Sequence, residues 1–109
     1  MINHISTSQE LQKYVATTNT SHKVLIAYFF ADWCGPCKQI KPKIEQLSQN
    51  YSDRLEIIKI NVDDAYEIVN TYKVSAMPTF IFFKNGNVYE KRVIGANFVE
   101  LVNVLNNII

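Results

Sequence analysis

Hydrophobic positions change their period several times along the chain. Val24 to Ala31 is an apolar run without a polar break, the pattern of a central strand buried on both faces. Leu55–Val62, rich in Ile, predicts a second strand, and Ile2–Ile5 a short one at an edge. Between them the period becomes helical. Thr7 and Glu10 have capping-box spacing, and Leu11, Tyr14 and Val15 follow on one face. Thr17 to Ser21 reads as a polar break. Cys34 to Asn50 predicts a helix with Ile40, Ile44 and Leu47 on its apolar stripe and a kink at Pro42. Ala65–Tyr72 predicts a short helix. Thr79–Phe83 and Asn87–Val93 predict two strands, with Lys84, Asn85 and Gly86 between them; Asn-Gly there is a strong hairpin signal. The last helix begins after Asn97, an N-cap with Glu100 three residues on, and carries Phe98, Leu101, Val102 and Leu105.

The resulting order, β-α-β-α-β-α-β-β-α, predicts an α/β fold. Parallel central strands form the core of a mixed sheet, helices cover both faces, and the C-terminal hairpin adds antiparallel strands. A length of 109 residues fits one domain over residues 1–109.

Composition narrows the function more than the fold. Eleven basic and ten acidic residues leave a net charge of +1, so no electrostatic footprint for nucleic acid or an anionic membrane is present. The N-terminal segment lacks the charged and apolar regions of a secretory signal. No apolar stretch reaches the roughly 18–20 residues that span a bilayer. A cytoplasmic, soluble protein is expected. Two cysteines are too few for a disulfide scaffold. One Cys-x-x-Cys with no further ligand pair gives no zinc site, and His4 and His22, both in polar surroundings, read as surface residues.

The two cysteines lie together in Trp33, Cys34, Gly35, Pro36, Cys37 and Lys38, where the central strand gives way to a helix. A helix N-terminus presents unpaired N–H groups and a positive dipole end, both of which favour a thiolate at Cys34. Two intervening residues bring the thiols within disulfide reach. Pro36 lacks an N–H and has φ pre-set for a first helical turn. The site suits thiol–disulfide exchange, in which Cys34 attacks a substrate disulfide and Cys37 resolves the mixed disulfide.

These residues, in this context, resemble the thioredoxin family. The likeness extends to Ala31 and Asp32 before the motif, Pro42 after it, the strand end from Lys59 to Asp63, and the loop of Ala76, Met77, Pro78 and Thr79. It includes Phe83 to Gly86 and the turn of Ile94, Gly95 and Ala96. The resemblance implies a thioredoxin fold with about four helices. It implies an exposed nucleophile at Cys34, a resolving thiol at Cys37 and an aromatic wall at Trp33. A cis bond is implied before Pro78, leaving the Met77 backbone to pair with an extended substrate, and Ile94, Gly95 and Ala96 complete the docking rim. It further implies a monomer that reduces protein disulfides, binds no cofactor itself, and is re-reduced by an NADPH-dependent flavoprotein, thioredoxin reductase. The Gly-Pro pair favours a reductant. A disulfide isomerase or oxidase, and a non-catalytic binding or regulatory subunit, are the alternatives.

One departure from the family pattern stands out. Where the family usually has a buried Asp, thought to assist deprotonation of the resolving thiol, this chain has Tyr28. A phenol with a reference pKa of about 10 is no anionic base near neutral pH. Lys59 keeps the position that normally pairs with that Asp, so it is expected to snorkel or find another acceptor. Retained activity with a slower resolving step or an altered pH profile is the expectation.

Overall fold

Strand β2 (Val24–Phe30) is the middle of the sheet, and its alternation builds both cores. The computed structural model describes residues 2–109. Val24, Ile26 and Tyr28 point to one face, and Leu25, Ala27 and Phe29 to the other. Around β2 lie β1 (Asn3–Ile5), α1 (Ser8–Thr20), α2 (Gly35–Asn50), β3 (Leu55–Asn61) and α3 (Tyr66–Tyr72). β4 (Thr79–Lys84), β5 (Asn87–Val88), β6 (Val93–Ile94) and α4 (Phe98–Ile108) complete the chain. The sheet order is β1-β3-β2-β4-β5, with β6 also on β4. β1, β3 and β2 are parallel, and β4 runs antiparallel to β2 and to both of its later partners.

Helices α2 and α4 cover the first face through Ile40, Ile44, Leu47, Leu101, Val104 and Leu105. Helices α1 and α3 cover the second through Leu11, Val15 and Ile68. The expected α/β architecture with helices on both faces is therefore present. Among the described residues no helix is long and apolar enough to cross a membrane.

Local chemistry explains most element ends. The Glu10 N–H donates to the Thr7 hydroxyl and the Thr7 N–H to the Glu10 carboxylate, both at 3.1 Å. Asn97 caps α4 by accepting the Glu100 N–H at 3.0 Å. Asn85 and Gly86, at φ 56° and 81°, turn the hairpin between Lys84 and Asn87. Pro42 lies on the exposed face of α2, and the helix runs through it to Asn50.

Two expectations need correction. The polar stretch from Thr17 is no break: α1 continues to Thr20, because Thr17, Thr18 and Thr20 turn their hydroxyls back onto the carbonyls of Lys13, Tyr14 and Ala16. The strand Asn87–Val93 is split. After the Tyr89 N–H bonds the Phe82 carbonyl the chain leaves the ladder. Arg92 reaches the Tyr72 carbonyl at 2.9 Å, Lys91 pairs with Glu100, and the strand resumes only at Val93.

Candidate active site

The end of β2 and the start of α2 form a single tight corner. The Cys34 N–H donates to the Ala31 carbonyl at 3.1 Å, closing the turn that carries Asp32 and Trp33. Cys34 is the N-cap of α2, and its Sγ accepts the Cys37 N–H at 3.2 Å. Cys34 and Cys37 form a disulfide, with Cα atoms 5.3 Å apart. Gly35 and Pro36 occupy the exposed first turn, with Lys38 exposed just beyond. The resemblance led us to expect an exposed sulfur at Cys34, yet this residue is only 5% exposed and Cys37 2%. The disulfide turns both side chains inward against Ala31, and Phe30, Val62 and Met77 pack around them.

Sheet register assembles the rim. Phe29, Thr79 and Ile94 lie in one row across β2, β4 and β6, so the loop before Thr79 and the turn after Ile94 share an end with the disulfide. The Met77–Pro78 peptide is cis. The Gly95 N–H donates to the Pro78 carbonyl at 2.8 Å, and Gly95 adopts φ 98°, a backbone region that favours glycine. Among the described residues the N–H and C=O of Met77 have no hydrogen-bond partner within the chain. Ile94 is 59% exposed and Trp33 66%, and Ala96 is exposed beside them.

Beneath the disulfide lies an aromatic floor. Tyr28 is buried, its ring stacked on Phe80 at 5.1 Å and tilted against Phe30 at 5.7 Å. Its hydroxyl donates to the Cys37 carbonyl at 3.2 Å. Burial, and secondarily the charge of Glu45, push the phenol up to about 12, so it is a neutral donor at physiological pH. Lys59 is the register partner of Tyr28 on β3 and is half-buried. It finds no carboxylate within 4.0 Å among the described residues. Instead it lines a cleft of about 310 Å³ together with Tyr28, Cys37, Lys38, Lys41 and Glu45.

The thioredoxin family profile matches residues 3–107. The chain belongs to the thioredoxin family. It is 43% identical over 101 residues to Thioredoxin-1 of Schizosaccharomyces pombe, covering 93% of this chain and 92% of that protein. It is 47% identical over 83 residues to Thioredoxin-T of Drosophila melanogaster. That match takes in 76% of this chain but spans only about half, 52%, of the fly protein. The solved thioredoxin of Fasciola hepatica superposes with a TM-score of 0.89 at 34% identity, covering 99% of this chain and 100% of that one. The fold is a thioredoxin fold, and its chemistry is that of a thiol–disulfide reductase built on the Cys34–Cys37 pair.

Sequence reasoning missed two parts of this thioredoxin site. Trp33 Nε1 donates to the Asp63 carboxylate at 3.0 Å, across 30 residues of chain. Glu45 faces the cleft beside Cys37 and Tyr28. A helical count from Cys37 places Glu45 on the same side two turns on, a signal that was available; nothing in the local pattern marks Asp63. Among the described residues no group of three or more His, Cys, Asp or Glu is placed to hold a metal.

Proposed function

We propose that Cys34 opens disulfides of partner proteins as the nucleophile, with Cys37 as the resolving thiol. The observation that carries this reading is the place of Cys34 Sγ, an N-cap facing the Cys37 N–H. Once the disulfide is reduced, that donor and the helix dipole favour a thiolate there. The free backbone groups of Met77 support docking of an extended substrate segment by strand-like pairing. Trp33, Pro78, Ile94, Gly95 and Ala96 form the apolar rim around it, and Gly35, Pro36 and Lys38 shape the first turn of the helix. Electrons come from NADPH through a flavoprotein thioredoxin reductase, and this chain binds no cofactor of its own. The protein acts as a single-domain monomer in the cytoplasm.

Reduction of a disulfide-containing protein, driven by NADPH and a thioredoxin reductase, tests this reading. Cys37→Ser is expected to accumulate a mixed disulfide through Cys34, and Cys34→Ser to form none. Turnover by the double serine variant, or a reduction potential in the oxidant range, would overturn it.

A further inference from the structure

The loop from Lys73 to Met77 separates the end of α3 from Pro78, and both of its ends are tied to the segment around β6. At one end the Gly95 N–H donates to the Pro78 carbonyl at 2.8 Å. At the other, the Arg92 guanidinium donates to the Tyr72 carbonyl at 2.9 Å. Arg92 and Gly95 bracket Val93 and Ile94, which pair with Phe80 and Thr79 of β4. Val93 is buried in the core of the first face, so alternation turns Arg92 to the second, where α3 packs through Ile68. Tyr72 is the last residue of α3, where carbonyls lack partners within the helix, and no N–H of the following loop reaches it. A cation there also complements the negative end of the helix dipole. Arg92 is half-buried and makes no ion pair among the described residues, so this carbonyl is what holds its charge. Within the loop, Val74 is buried and the Thr79 hydroxyl donates to the Ala76 carbonyl. Ser75 and Ala76 are exposed, and the N–H and C=O of Met77 are unpaired among the described residues.

We propose that Arg92 is a positioning residue for docking: by holding the α3 end of this loop, it keeps the Met77 backbone where an extended segment of a partner protein pairs with it. This rests on the reading of Met77 as the docking segment. The consequence is selectivity for polypeptide disulfides over small ones. A polypeptide must pair with the loop, and any freedom left in the loop is lost at that moment, at a cost to binding. A small disulfide meets Cys34 without pairing to the loop. Arg92 lines no part of the cleft beside Cys37, so the reactivity of the two thiols does not depend on it.

The test offers two disulfides to pre-reduced protein in single turnover: insulin, and a small aromatic disulfide that releases a coloured thiolate. Arg92→Met, which keeps the apolar stem, is expected to lower the second-order rate with insulin about fivefold and to leave the rate with the small disulfide unchanged. Amide hydrogen exchange at Ser75, Ala76 and Met77 is expected to quicken in the same variant. Arg92→Lys, which can still donate to a carbonyl, is expected to recover most of the insulin rate. Arg92→Gln, which lacks the guanidinium, is expected to match Arg92→Met and stands in for it if that variant folds poorly. An unchanged insulin rate, an equal fall with both disulfides, an equal loss in Arg92→Lys, or unaltered amide exchange overturns the proposal. Gly95→Ala, which disturbs the other tie, separates this failure from that of the parent reading. If Gly95→Ala slows insulin reduction and Arg92→Met does not, the role of Arg92 alone falls; if neither does, docking at Met77 falls with it.

Discussion

Trp33 Nε1 is hydrogen-bonded to the Asp63 carboxylate at 3.0 Å, which ties the turn before α2 to the loop after β3. Both residues are exposed, so the bond contributes little to folding and much to where the indole stands. Asp63→Ala is expected to cost less than about 1 kcal/mol in denaturant unfolding. The freed ring must then be ordered on docking, which raises KM for a protein substrate about two- to tenfold with kcat near the parent value. Trp33 is the chain's one tryptophan, so fluorescence anisotropy reports its mobility alone. An unchanged anisotropy in Asp63→Ala would show that the bond does not hold the ring.

Tyr28 makes stability sensitive to alkali. Its folded value, about 12, lies above the reference of 10.0. A raised acid is protonated in the folded state while the unfolded chain has already ionised, so stability is full below pH 10 and declines as pH rises towards 12. Tyr28→Phe is expected to lose about 1 kcal/mol near neutrality with the bond to the Cys37 carbonyl, and to flatten this alkaline decline. Urea titrations at a series of pH values check both. Tyr28→Asp, in turn, is expected to alter the pH profile of turnover; an identical profile would mean that this position does not limit the reaction.

Gly95 combines φ 98° with open space, since an added Cβ meets nothing within 4 Å. Gly95→Ala therefore isolates backbone strain, expected at roughly 1–2 kcal/mol. Because the Gly95 N–H anchors the Pro78 carbonyl, the shift passes to the docking loop. KM is expected to rise more than kcat falls, as steady-state kinetics with a protein disulfide will show.

The capping box of α1 gives an acid-side prediction. Hydrogen bonds from the Ser6 N–H, then from the Thr7 hydroxyl and N–H, hold the Glu10 carboxyl below its usual range. A depressed carboxylate stabilises the fold above its unfolded pKa, and that contribution disappears as pH falls through the folded value. Glu10→Gln is expected to weaken the acid dependence of stability. Thr7→Ala should cost about 1 kcal/mol at neutral pH, measured by thermal unfolding.

The legible parts of the molecule were those carried by short-range pattern. The apolar run of β2, the Asn85–Gly86 turn and the caps at Thr7 and Asn97 each depend on neighbours within a few residues. The extension of α1 was hidden because threonines read as turn formers until their hydroxyls are seen to bond within the helix. The break between β5 and β6 was hidden because Arg92 and Lys91 are drawn to α3 and α4, partners that no strand pattern reveals. The site divides in the same way. Cys34 and Cys37 announce themselves by spacing, whereas Asp63 and the charged lining around Lys59 come together only through sheet register and the packing of α2.

The chain has two cysteines, both consumed by one bond at the head of α2. Each molecule therefore stores a single pair of electrons and nothing more. A titration with oxidant must stop at two equivalents per chain, with no further thiol to glutathionylate or to join two copies covalently. Capacity in a cell then scales with the number of molecules and the speed of their recharging. A second thiol oxidation, once a molecule is spent, must fall on some other protein.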